Sequence, residues 1–130
     1  MFVINMVKEV NRKLNSKDKK VIDVFVDLGM PRNLAKTLIY ISEADECRSA
    51  EIERNASLRQ PEVSVAMQEL QRRGWIKKRD LKKKGKGRPV HLYRLRSSID
   101  SIVEDFEKQK LQEINHVKKD LSELKKLIED

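Results

Sequence analysis

Apolar positions recur at helical spacing through the first half of the chain, switch to alternation near its middle, and return to helical spacing at the end. Val3, Met6, Val7, Val10 and Leu14 form a first short stripe and predict an N-terminal helical segment over 1–15, with a disordered tail as the alternative. Ser16 is a candidate N-cap for a second stripe, Val21, Val24, Phe25 and Leu28, which stops at Gly29. The run 21–28 also alternates, so a strand stays open there beside the helix. Pro31 opens the next helix, with Leu34, Ala35, Leu38 and Ile41 inward and Ser42-Glu43-Ala44-Asp45 as its closing turn. Cys47-Arg48 predicts a very short strand or extended link. Ser49 then caps a short helix, Ala50 to Asn55, that buries Ile52, and Ala56-Ser57 turns into the following element.

That element is the one the chain is organised around. Val63, Met67 and Leu70 stand at i, i+4 and i+7, one buried stripe of an amphipathic helix. Pro61 is tolerated only in a first helical turn, which sets the start at about Arg59 or Gln60. Gly74, after Arg72 and Arg73, reads as the C-cap. The other face carries Arg59, Gln60, Glu62, Ser64, Val65 and Gln68, and short polar and amide side chains of this kind reach base edges in a DNA groove. A solvated outer face explains the same pattern equally well, and only the flanking elements separate the two.

Beyond Gly74 the period changes. Trp75 to Leu81 predicts a strand, and Val90 to Leu95 alternates as a second one. Between them, Lys82-Lys83-Lys84-Gly85-Lys86-Gly87-Arg88-Pro89 predicts a loop bearing five cations. Two helices joined by a short turn, then a hairpin with a basic tip, make a winged helix-turn-helix over 16–96. The expected fold class is therefore mainly α with a small β-hairpin (α+β). Residues 97–130 add one long helix, where Val103, Phe106 and Leu111 lead into Ile114, Val117, Leu121, Leu124 and Ile128 at strict 3-4 spacing. The step from Phe106 to Leu111 resembles a stutter. So narrow a stripe predicts a coiled-coil homodimer, with folding back onto the domain as the alternative.

Charge sharpens this picture. The 130 residues carry a net charge of +8, yet 75–96 alone hold ten Lys/Arg against Asp80. The basic character sits in one block, the footprint of a polyanionic partner. The last helix, with six basic and nine acidic residues, is a poor candidate for touching phosphate. Catalysis finds little support: His91 and His116 fall on different elements, and Lys84-Gly85-Lys86-Gly87 lacks the Gly-Lys-Ser/Thr of a P-loop. We expect no enzyme activity, metal or cofactor. The one cysteine, Cys47, excludes a disulfide framework; beside Arg48 it is a minor redox-sensor candidate. No apolar run approaches a membrane span, and the first residues lack a signal peptide's basic start, so the expected location is cytoplasmic.

Leu58-Arg59-Gln60-Pro61-Glu62-Val63-Ser64, Glu69-Leu70, Gly74-Trp75-Ile76, Lys86-Gly87-Arg88-Pro89 and Tyr93-Arg94-Leu95 together resemble the recognition helix and wing of archaeal winged helix-turn-helix transcription regulators of the ArsR, MarR and TrmB types. The resemblance spans about 29–96 and includes regulators that activate archaellum genes. It departs from the family at Arg59, where Ser or Thr usually caps the helix, at Ser57, where Gly is common, and at Glu53, where a small residue is usual. It implies a homodimeric regulator that binds double-stranded DNA, with the basal transcription machinery as a further partner. Arg59, Gln60, Glu62, Ser64, Val65 and Gln68 would read bases. Arg72, Arg73, Lys77, Lys78, Lys82, Lys83, Lys84, Lys86 and Arg88 would hold the backbone. Ile114, Val117, Leu121, Leu124 and Ile128 would join the subunits. The alternatives are a protein-interaction module of the transcription or replication machinery, and an RNA-binding protein.

Overall fold

The structure, a computed structural model, describes residues 13–81 and 90–130. Its helices are α1 (Ser16–Asp27), α2 (Arg32–Ala44), α3 (Ser49–Asn55), α4 (Gln60–Arg72) and α5 (Ile99–Glu129), and its strands β1 (Glu46–Cys47), β2 (Ile76–Leu81) and β3 (Val90–Leu95). The class is α+β, mainly helical, with one antiparallel sheet in the order β1-β3-β2. The chain divides between Ser97 and Ser98 into two compact units, the second consisting of α5. The expected N-terminal helix and the basic loop fall on 1–12 and 82–89, outside the described residues.

The first unit is built on α2. Leu34, Ala35, Thr37, Leu38, Ile39, Tyr40, Ile41 and Ala44 are all buried, so α2 is covered nearly all round rather than along one stripe. Neighbours account for this: α1, α3, α4, β1 and β3 all lie against it. The sequence stripe named only four of these positions, because a helix at the centre of a small body loses its amphipathic signature. Its buried polar groups are satisfied. Thr37 Oγ1 donates to the Asn33 carbonyl at 2.8 Å, and Asn55 Nδ2 donates to Tyr40 Oη at 2.9 Å, tying α3 to α2.

Helix α1 settles the helix-or-strand alternative for 21–28 and corrects its inner face. Asn15, not Ser16, is the N-cap: its side chain accepts from the Asp18 N–H, and the Asp18 carboxylate accepts from the Asn15 N–H, each at 2.9 Å. This capping box sets the phase of the helix. Asp18, Ile22 and Phe25, at i, i+4 and i+7, turn inward, while Val24 and Leu28 are exposed. An acidic residue at the first inward position concealed the stripe. In the same way Arg48, whose N–H is held by the Glu51 carboxylate at 3.2 Å, becomes the residue before α3. β1 is therefore Glu46–Cys47 rather than Cys47-Arg48.

Three helices end alike. Past α1, α3 and α4 the chain takes positive φ at Gly29 (98°), Ser57 (55°) and Gly74 (75°). The next N–H reaches back five residues, from Met30 to Phe25 O, Leu58 to Glu53 O and Trp75 to Leu70 O. These are Schellman turns, and the residue completing each one, Met30, Leu58 or Trp75, is buried. Each turn stops a helix and drives an apolar side chain into the core. The last of them hands α4 over to the sheet, where Ile76 pairs with Leu95 and Leu81 with Val90.

Ser57 adopts the left-handed region without being glycine, a conformation that costs an L-residue about 1–2 kcal/mol. After the unfolded chain's gain in freedom is deducted, Ser57→Gly is expected to stabilise the unit by about 0.5–1 kcal/mol. By the same balance Gly74→Ala is expected to destabilise it by about 0.5–1 kcal/mol, and through conformation alone, since an added Cβ there meets nothing within 4 Å. Urea unfolding of both variants checks this; no gain for Ser57→Gly would contradict the Schellman assignment at the α3–α4 turn.

Candidate nucleic-acid interface

Helix α4 begins after Arg59, which serves as N-cap without a side-chain bond of its own. Glu62 does the capping instead. Its carboxylate accepts from the Arg59 N–H at 2.8 Å, and from Asn33 Nδ2 of α2 at 3.2 Å. The Arg59 backbone bond, with Arg59's side chain and Asn33 adding to it, holds the Glu62 carboxyl below its ordinary value. Glu62 is thus engaged in starting α4 and fastening it to α2, unlike the other members of the base-reading set that the sequence suggested on the same helix.

The remaining outward residues divide between two sides of the helix. Gln60, Ser64 and Gln68, joined by Gln71, line one hollow of about 250 Å³ together with Ser49 and Glu53 of α3 and Tyr93 of β3. The spacing 60, 64, 68, 71 is a single helical face. Among the described residues none of these four side chains has a hydrogen-bonding partner, so their amides and hydroxyl are open to a ligand. Val65 lies on the other side with Glu62. It borders a groove of about 540 Å³ lined by Pro31, Leu34, Pro61 and Ala66, and it is 67% exposed. Val65 therefore leaves the predicted face. Gln71, Ser49 and Tyr93 were missed; Gln71 was readable three residues past Gln68, whereas the other two converge only through the tertiary fold.

Arg59 stays exposed at the N-terminal end of α4, with its Nε 3.4 Å from the Glu62 carboxylate. At the other end the arginines are engaged. Arg72 grips Glu69 at 2.8 and 2.5 Å, and Arg73 Nε donates to the same carboxylate at 2.7 Å. The Arg73 guanidinium also lies 5.0 Å from the centre of the Trp75 ring, and its side chain is only 20% exposed. Hydrogen bonds from Arg72 and Arg73 lower the Glu69 carboxyl from 4.5 to about 2. Arg73 is accordingly a clamp on the α4–β2 turn rather than a free phosphate ligand, while Arg72 keeps an exposed edge.

The sheet adds Lys77 and Lys78, both exposed. Lys78 stands directly opposite Tyr93 in the β2–β3 register, so both leave the sheet on one face, that of the hollow. Burial raises the Tyr93 phenol above its ordinary value of 10.0, so it is a neutral hydroxyl at physiological pH. Lys77 opposes Arg94 on the other face, beside Arg79, whose guanidinium is paired bidentately with Glu46 at 2.9 Å. Asp80 opposes His91 and contacts its Nδ1 at 2.6 Å, a carboxylate partner that linear spacing had hidden. Four cations scattered in sequence, Lys13, Lys19, Arg32 and Lys36, also border one hollow of about 170 Å³ with Ser57.

Lys82, Lys83, Lys84, Lys86 and Arg88 lie outside the described residues. The Cys47 thiol is buried and pushed up to about 12, chiefly by that burial, so thiolate chemistry is suppressed and the redox-sensor idea loses its basis. No group of three or more His, Cys, Asp or Glu suited to a metal occurs among the described residues. No described helix is long and apolar enough to cross a membrane. On α5, Ile114, Val117, Leu121, Leu124 and Ile128 are all exposed, as is every residue from Leu111 onward. Neither a protein-family model nor a curated protein matches this sequence.

Glu69 carries a pH prediction. Its folded value lies below its ordinary one, so its contribution to stability is full above pH 4.5 and is lost as pH falls toward 2. Trp75, the only tryptophan, reports unfolding at the clamp itself. The urea midpoint of the parent is expected to drop between pH 6 and pH 3 by more than that of Glu69→Gln, which starts lower and changes less. Equal drops in the two proteins would contradict the clamp.

Proposed function

We propose that the protein is a cytoplasmic, sequence-specific regulator of transcription that binds double-stranded DNA as a homodimer, through a winged helix-turn-helix formed by α3, α4 and the β2–β3 hairpin. The observation that carries this reading is the unpartnered face Gln60, Ser64, Gln68 and Gln71. Glutamine pairs bidentately with adenine N6 and N7, and serine accepts or donates to several bases, so a row of such groups along one helix face suits a major groove. Cations directed at phosphates would give affinity without this selectivity. Arg59, exposed at the leading end of α4, would take a guanine or a phosphate.

Affinity falls to exposed cations, of which Lys78 shares the side of the hollow. Lys78 and Lys77 on β2, Arg72 at the end of α4, and Lys82, Lys83, Lys84, Lys86 and Arg88 between the strands supply phosphate contacts, with Arg88 best suited to a minor groove. Glu53 beside the hollow repels phosphate, which favours approach of base edges rather than backbone at that point. One observation favours a second reading: the apolar groove at Val65, Pro61 and Leu34 fits a protein-interaction module docking on the transcription machinery.

Salt and base substitution test the first reading separately. With about five phosphate contacts from 82–88, log K should fall against log salt with a slope of at least about −4 per subunit. Neutralising Lys82, Lys83, Lys84, Lys86 and Arg88 together should flatten that slope, and an unchanged slope would take this segment out of the interface. Gln60→Ala should cost about 1–3 kcal/mol on a preferred site and little on random DNA. Equal losses on both would make Gln60 a backbone contact.

A further inference from the structure

The exposed stripe of α5 runs Ile114, Val117, Leu121, Leu124, Ile128 on a 31-residue helix. With Ile114, Leu121 and Ile128 as the a positions of a heptad and Val117 and Leu124 as d, the flanking positions follow. Glu113 and Asp120 occupy g, and Lys118 and Lys125 occupy e. Among these e and g positions the charged residues are acidic at g and basic at e, with Leu111 and Leu127 holding the end positions of the two rows.

That segregation distinguishes the two ways of pairing the helix with a second copy. In a parallel pair each g position faces the e position five residues on in the other chain, so Glu113 meets Lys118 and Asp120 meets Lys125, twice over by symmetry. In an antiparallel pair e faces e and g faces g, which sets lysine against lysine and carboxylate against carboxylate. Ile114 and Ile128 at a with Leu124 at d suit two strands, while Leu121 at a and Val117 at d do not add to that preference. Among the described residues of the single chain, Glu113 is engaged by Lys110 and Asp120 by His116, at 3.1 and 3.3 Å. Both contacts are exposed and worth little, so they do not compete with interchain pairing.

We propose that α5 is the site of a parallel two-stranded coiled coil with a second copy of this chain, in register, selected by the Glu113–Lys118 and Asp120–Lys125 pairs. The inference rests on the homodimer reading above and adds its orientation. Parallel pairing puts the two links at 97–98 at the same end of the coil; antiparallel pairing separates them by up to about the helix length, roughly 46 Å at 1.5 Å per residue. Two subunits joined in this way reach neighbouring half-sites with short separation.

The test uses the full chain and sedimentation equilibrium, with circular dichroism to check that each variant keeps its helix content. Lys118→Glu with Lys125→Glu turns four attractive contacts repulsive in the parallel pair and should weaken self-association at least about tenfold. Adding Glu113→Lys and Asp120→Lys should restore it. In an antiparallel pair neither change alters the count of like-charge contacts. Independently, Ile128→Cys should form an interchain disulfide in a redox buffer, because facing a positions fall within disulfide reach. In an antiparallel pair overlapping most of the stripe the two sites are about 15 Å or more apart. Buried Cys47 does not interfere. A dimeric parent with weakening, rescue and the disulfide supports the proposal. A dimeric parent without them overturns the orientation and leaves the homodimer standing, and a monomeric parent overturns both.

Discussion

Burial of α2 on nearly every side is the constraint from which the rest of the first unit follows. A helix with Leu38, Ile39, Tyr40 and Ile41 consecutively buried must be covered by other elements on all faces, and with 5% aromatic residues those elements have to be aliphatic and closely fitted. Removing one of these side chains, as in Leu38→Ala, would cost about 2–5 kcal/mol, a large share of the stability of so small a unit. The Asn33–Glu62 and Asn55–Tyr40 bonds extend the same scaffold to α4 and α3. The candidate binding face is rigid because the opposite side of its helix is fastened to this core.

Polar and apolar residues on α4 thereby acquire separate duties. Val63, Ala66, Met67 and Leu70 hold the helix in place, and Glu62 and Glu69 lock its two ends. Gln60, Ser64, Gln68 and Gln71 are left with no structural task. Residues that are positioned by a rigid element and take no part in holding it are suited to recognition, because binding incurs little further ordering cost. Of the cations on β2, Lys78 shares the side of this face, whereas Lys77 and Arg79 leave the sheet on the other.

Much of this was legible in the chain. The periods of α2, α4 and α5, the Pro61 start of α4, the stop at Gly74 and the second strand at Val90–Leu95 follow from spacing and turn chemistry. What escaped was set by side chains acting outside their usual type. Asp18 points inward as a cap partner, which hid the true face of α1. Glu62, Arg72 and Arg73 resemble ligand-binding residues in sequence; the fold alone brings Asn33 to Glu62, whereas Glu69 lies one helical turn before Arg72 and Arg73, a pairing that helical spacing already offered. The departure of Ser57 from glycine was visible, but that it retains the left-handed turn was not. Tyr93 and Ser49 reach the hollow through sheet register and helix packing, neither of which a linear pattern encodes.

The central claim is that this face reads duplex DNA by sequence, and selection of bound duplexes from a random pool by the intact protein tests it most directly. The account predicts enrichment of a pseudo-palindrome whose half-sites lie about 10 bp or a multiple apart, lost when Gln60 and Gln68 are both changed to Ala. Rounds of selection that enrich no sequence, with single strands or RNA retained as well as duplex, would contradict it.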